Sequence, residues 1–116
     1  MDEVVMLHNP RCSKSRETLA LLGERGIQPR IVDYLAAPPS IAQLEDILGR
    51  LGVEPRALMR RDEPEYAELG LDDPGISREA LIAAMHAHPR LIQRPVVLAN
   101  GKAAIGRPPE AVLAIL

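Results

Sequence analysis

The sequence predicts an α/β fold, a mixed sheet of about four strands carrying a helical insertion. Three observations lead there. A strand–helix–strand pattern fills residues 1–36, a block of helical periodicity without strands occupies 37–89, and a hairpin followed by a closing helix takes up 90–116.

Val4-Val5-Met6-Leu7 is a short continuous apolar run and reads as a buried strand. His8-Asn9-Pro10-Arg11 breaks it as a loop, and helical spacing starts near Ser13, with Leu19 and Leu22 on one face and Gly26 as the stop. Arg30-Ile31-Val32-Asp33-Tyr34 reads as a second strand, so the segment forms a right-handed βαβ unit with parallel strands. In the middle, Ser40 with Gln43 forms a capping box ahead of the stripe Ile41, Leu44, Ile47, Leu48 and Leu51, which Gly52 ends. Short helices are expected over Pro55 to Arg61 and around Glu65 to Glu68; Ser77 then opens a helix carrying Leu81, Ile82 and Met85 that stops before Pro89. Pro95 to Leu98 and Ala103 to Ile105 flank Asn100-Gly101, the signature of a primed hairpin turn. Pro108 or Pro109 starts a final helix with Ala111, Val112, Ile115 and Leu116 on or near its apolar side.

Two parallel strands joined to an antiparallel hairpin, with helices over the sheet, is the thioredoxin or glutaredoxin plan. The expected organisation is one domain over 1–116, with a thioredoxin-like core at about 1–36 and 90–116 and the insertion at 37–89.

Composition narrows the function. With 116 residues, 47% apolar and 26% charged, the chain is of ordinary globular character and about one domain long. Two tyrosines and no Phe or Trp leave no stacking platforms for single-stranded nucleic acid, and a net charge of −2 leaves no basic footprint for a duplex. The acidic start Met1-Asp2-Glu3 is unlike a signal peptide, and no apolar run approaches the roughly 20 residues of a membrane span. One cysteine forms no internal disulfide, which fits a reducing, cytoplasmic setting. A monomer is the default.

That cysteine is Cys12, at the junction of the first strand and the first helix. A helix N-terminus offers unpaired N–H groups and a positive dipole end, and Arg11, Lys14 and Arg16 add charge; these conditions lower a thiol pKa. A dithiol motif needs Cys-x-x-Cys, but the sequence reads Cys12-Ser13-Lys14-Ser15. A tyrosine-phosphatase loop needs Cys-x5-Arg, and residue 18 is Thr18. His8, His86 and His88 with one cysteine show no zinc spacing, so no metal is expected, and His86 and His88 are read as helix-surface residues.

Four segments carry a resemblance that runs nearly end to end: His8-Asn9-Pro10-Arg11-Cys12-Ser13-Lys14-Ser15-Arg16, Leu58-Met59-Arg60-Arg61, Gln93-Arg94-Pro95-Val96-Val97 and Ile105-Gly106-Arg107-Pro108-Pro109-Glu110. In these the chain resembles the glutaredoxin-linked arsenate reductase family. The resemblance implies that Cys12 attacks arsenate to form a covalent thiol–arsenate adduct, and that Arg60, Arg94 and Arg107 hold the oxyanion. Guanidinium forks suit tetrahedral oxyanions, since they make paired, charge-assisted hydrogen bonds. It implies a cis peptide before Pro95, and a supporting role for Ser15. His8, four residues before Cys12, either tunes the thiol or caps the loop.

Reduction of arsenate to arsenite takes two electrons, and a single cysteine cannot supply both by closing an internal disulfide. The family's external reductants are glutathione and glutaredoxin, with no bound cofactor. Two alternatives stand beside arsenate reduction. One is a thiol oxidoreductase acting on another oxyanion or on glutathione mixed disulfides. The other is a regulator of the Spx type, which binds RNA polymerase and senses oxidation through Cys-x-x-Cys; Ser15 in the second position argues against it.

Overall fold

The computed structural model describes residues 3–116. Met1 and Asp2, part of the acidic start read above against a signal peptide, lie outside the described residues. The chain divides into two compact units, one made of residues up to 37 and 94–116, the other of 38–93.

The first unit holds a four-stranded sheet. Strands β1 (Val5–Leu7) and β2 (Arg30–Val32) are parallel and joined through helix α1 (Ser13–Glu24). Strands β3 (Val96–Ala99) and β4 (Lys102–Ile105) form the antiparallel hairpin, and β3 also pairs antiparallel with β1, giving the order β2-β1-β3-β4. The register places Met6 opposite both Ile31 and Val97, which makes β1 a central strand. Its continuous apolar sequence follows, because a central strand buries residues on both faces: Met6 is 0% and Leu7 4% exposed. Val4, Met6, Leu22, Val97, Ala99, Val112 and Ile115 form the core, with Leu19, Leu21 and Ile27 packed on it.

Asn100 and Gly101 turn the hairpin with φ of 55° and 74°, the left-handed pair that a type I′ turn requires. Two elements of this unit differ from expectation. The second strand ends at Val32, because the Asp33 carboxylate accepts the Leu35 and Ala36 N–H groups and bends the chain. The closing helix, Pro109–Ile115, is 3-10 rather than α. Pro108 and Pro109 lack N–H groups, Ala111 donates three residues back to Pro108, and the Asn100 side chain donates to the Ile115 carbonyl.

The second unit is helical. Helix α2 (Ile41–Leu51) begins at the Ser40–Gln43 capping box, with both reciprocal bonds made, and ends at Gly52 in the left-handed region. A 3-10 turn at Pro55–Leu58, helix α3 (Pro64–Glu68) and helix α4 (Arg78–Ala87) follow; Ser77 caps α4 by accepting the Ala80 N–H. Helices α2 and α4 pack together, burying Leu44, Ile47 and Leu48 of one and Leu81, Ile82 and Met85 of the other. Residues 90–93, expected in the core, belong here: Met59 bridges Ile92, Arg60 N–H donates to Leu91 O and Gln93 N–H to Leu58 O. His86 is exposed on α4, with Nδ1 2.8 Å from Pro39 O, and His88 follows as the cap. Among the described residues no helix is long and apolar enough to cross a membrane.

Candidate functional site

In a parallel strand pair with a right-handed crossover, loops gather outside the C-terminal strand ends. The His8–Cys12 loop leaves β1 at that edge and stays beside β2, since His8 N–H donates to Val32 O at 3.0 Å. Asn9 shapes the loop. Its Oδ1 accepts Arg11 N–H at 3.0 Å and its carbonyl accepts Cys12 N–H at 3.0 Å. Cys12 thereby becomes the N-cap of α1, with extended backbone angles and 9% exposure.

Burial acts most strongly on the Cys12 thiol and pushes its pKa up, but the opposing influences together win and the net direction is down. The first is the Ser15 N–H, then the Arg94 guanidinium by contact and by charge, then the Lys14 N–H. These N–H groups favour the thiolate as helix-end donors do, although the sulfur makes no cap hydrogen bond of standard geometry.

Two arginines come to the sulfur from the hairpin. Val96 pairs with Ile105 at the open end of β3 and β4, which sets Arg94-Pro95 beside Gly106-Arg107. Gly106 N–H donates to Pro95 O at 2.9 Å, and Arg107 Nε donates to Arg94 O at 2.8 Å. Arg107 Nη2 then stands 3.6 Å from Cys12 Sγ, within hydrogen-bonding range of sulfur. Burial weighs against the charge of the Arg94 guanidinium, but Cys12 and Tyr34 more than restore it, so its pKa moves up. The close approach at Gly106 admits no side chain: a Cβ there would lie 2.6 Å from Thr18 Oγ1 and 2.7 Å from Pro95 Cγ. The Arg94–Pro95 peptide is cis, the isomer the resemblance implied, and Arg107–Pro108 is cis as well.

Behind the cysteine, Ser15 is fully buried. Its Oγ accepts Asn9 N–H at 3.0 Å and lies 2.6 Å from His8 Nδ1. Burial lowers the His8 pKa, with Asp33 opposing and Arg16 reinforcing, so the ring favours its neutral form. His8 is therefore a buried hydrogen-bonding partner of the loop.

Arg60 belongs to the helical unit. Its side chain is 14% exposed and pairs with Glu63 at 2.7 Å and Asp62 at 3.4 Å, while Glu63 also takes Arg90 at 3.2 Å. Among the described residues no group of three or more His, Cys, Asp or Glu side chains is placed to hold a metal.

Sequence reasoning passed over Asn9 and Tyr34. Tyr34 was read as part of a strand, yet it lies two residues beyond β2 and is 0% exposed beside Arg94, Asn9 and Cys12. A tyrosine at the C-terminal end of a parallel strand, in a chain without Phe or Trp, was the available signal.

Comparison with known proteins agrees with this picture. The ArsC family profile matches residues 7–115. An arsenate reductase of Neisseria meningitidis is 51% identical over the full length of both chains. The uncharacterized protein YfgD of Escherichia coli is 56% identical, covering 98% of this chain and 97% of that one. The structure of an arsenate reductase from Vibrio cholerae superposes with a TM-score of 0.97 at 54% identity, covering 98% of each chain. The architecture is thioredoxin-like, and the chain belongs to the ArsC family.

Proposed function

We propose that this protein is an arsenate reductase that works through the Cys12 thiolate and draws its electrons from external thiols. The observation that carries the reading is the cysteine at a helix N-terminus with Arg107 3.6 Å from its sulfur, Arg94 beside it and its pKa lowered. A thiolate and a free oxyanion repel each other; two guanidinium groups at the sulfur remove that barrier and offer paired donors to the anion. The names of the relatives supply the oxyanion.

In this reading Cys12 sulfur attacks arsenic. An S–As bond forms, an As–O bond breaks, and the departing oxygen takes up protons and leaves as water; arsenic remains As(V). Arg94, Arg107 and Arg60 hold the remaining oxygens. A glutathione thiolate then attacks the Cys12 sulfur. The S–S bond forms as S–As breaks, the electron pair passes to arsenic, and arsenite departs. A glutaredoxin thiol attacks the glutathione sulfur of the mixed disulfide and releases the Cys12 thiolate. The chain holds one cysteine, so both electrons come from outside. Ser15 and His8 hold the loop, and Pro95 holds the Arg94 backbone. We place the protein in the cytoplasm as a monomer of one domain, with glutathione and glutaredoxin as its thiol partners. A regulator of the Spx type fits less well, because Ser15 stands where its second thiol would be.

The test is NADPH-coupled arsenate reduction with glutathione, glutathione reductase and glutaredoxin. Wild type turns over and Cys12→Ser does not, while Arg94→Ala, Arg107→Ala and Arg60→Ala each raise KM. Turnover that survives in Cys12→Ser defeats the reading.

A further inference from the structure

The chain has two tyrosines, and both are buried. Tyr66 hydroxyl donates to Asp72 Oδ1 at 3.2 Å. Tyr34 is 0% exposed and its hydroxyl has no hydrogen-bond partner. A buried hydroxyl without a partner is unfavourable, and phenylalanine would fill the same space without that cost. The hydroxyl therefore calls for a reason outside the packing.

Its surroundings supply one. Tyr34 follows Val32, whose carbonyl takes the His8 N–H, so it flanks the loop that ends at Cys12. Arg94 and Asn9 stand near the hydroxyl as side-chain donors and Cys12 acts on it by charge, but none of them bonds to it with standard hydrogen-bond geometry. The hydroxyl thus sits within electrostatic reach of both the Cys12 sulfur and the Arg94 guanidinium.

We infer that the Tyr34 hydroxyl is a direct, neutral hydrogen-bond donor to the tetrahedral oxyanion at Cys12, alongside the arginines. The inference rests on the proposed oxyanion chemistry and adds a catalytic residue to it. A donor without charge suits this position. Another cation would depress the thiol further and weaken it as a nucleophile, whereas a phenol adds a hydrogen bond and leaves the thiolate its reactivity. Burial raises the Tyr34 pKa, with Arg94 and Asn9 partly opposing, so the group stays protonated and able to donate. Tyr34 keeps its proton throughout.

The test compares wild type with Tyr34→Phe in thermal unfolding, in arsenate protection of Cys12 against iodoacetamide, and in the coupled assay. Tyr34→Phe is expected to hold or raise Tm, since no hydrogen bond within the protein is lost. Half-protection is expected to need about 10- to 100-fold more arsenate, with a similar loss in kcat/KM. Equal protection in the two proteins overturns the Tyr34 assignment and leaves the oxyanion site standing. A lower Tm with unchanged protection also overturns it, showing a purely structural tyrosine. Absence of protection in wild type overturns the oxyanion reading and this inference with it. A second measurement needs no variant: with 13Cζ-labelled tyrosine, added arsenate shifts the Tyr34 resonance and leaves that of Tyr66 in place. An unmoved Tyr34 resonance refutes the contact.

Discussion

Residues 38–93 and the loop around Cys12 use burial for different ends. In the helical unit the buried side chains are aliphatic or Met, with Tyr66 the aromatic exception, and its hydroxyl is satisfied by Asp72. Among the described residues the buried polar side chains are His8, Asn9, Ser15 and Thr18, all between positions 8 and 18, and the buried Tyr34 hydroxyl, without a hydrogen bond of standard geometry, lies beside Asn9 and Cys12 of the same loop. Apolar burial stabilises in proportion to area, whereas polar burial costs free energy unless every group is paired. The helical unit is built as a stable body, and the Cys12 region accepts a local cost to hold polar groups in place. Proteins break local packing rules most often where they function.

The largest expected effect lies in the helical unit. Ile82 of α4 is 0% exposed, so Ile82→Ala loses transfer energy and leaves a cavity, about 2–5 kcal/mol in urea denaturation. A loss well under 1 kcal/mol would break the contrast, since the apolar unit would then not be the tightly packed one.

Gly106→Ala comes next. Its Cβ would meet Thr18 Oγ1 at 2.6 Å and Pro95 Cγ at 2.7 Å, and the forced shift costs about 1–3 kcal/mol. The shift of Pro95 also moves the adjacent Arg94, whose guanidinium helps to lower the Cys12 pKa, so the thiol pKa read from the pH dependence of alkylation rises. Destabilisation without a pKa change would separate the packing of the hairpin end from the electrostatics of the site.

A pair of serines sharpens the comparison. Ser15→Ala strands the buried Asn9 N–H and leaves His8 Nδ1 without its partner, for about 1–3 kcal/mol. Ser40→Ala opens a capping box at an exposed helix end, where water replaces the lost bond, for about 1 kcal/mol. Chemical denaturation of both variants under one condition checks the order. Equal losses would mean that the polar cluster is no more demanding than a surface cap.

What was legible in the sequence follows the same division. The Ser40–Gln43 box, the Ser77 cap and the Asn100-Gly101 turn are local chemistry, written within four residues, and each appears as read. The cysteine at the strand–helix junction was legible for the same reason. The Asp33 turn that shortens β2 was missed because the apolar pattern ran on through Tyr34. The final segment was read as an ordinary helix because periodicity does not distinguish 3-10 from α over seven residues. The approach of Arg107 to Cys12 joins positions 95 residues apart and depends on the β3–β4 register, so no spacing rule reaches it. Nor does sequence distinguish a tyrosine whose hydroxyl is satisfied, Tyr66, from one whose hydroxyl is not, Tyr34.

The smallest effect tests the balance at the sulfur itself. Burial is the largest single influence on Cys12 and pushes its pKa up, yet the helix-end N–H groups and Arg94 together bring it down. An acid whose folded pKa lies below its unfolded value stabilises the fold above the unfolded pKa and loses that contribution as pH falls through the folded one. Wild type should therefore gain stability over Cys12→Ser as pH rises toward the ordinary cysteine value of about 8.5. The gain should stop there, where the unfolded thiol also ionises. His8 is pushed in the same direction, because a buried imidazole with a lowered pKa also loses stability toward acid; the subtraction removes it, since both proteins carry it. A difference that shrinks with rising pH would mean that burial wins, and Cys12 would then be one more group of the packed core rather than the thiolate of a site.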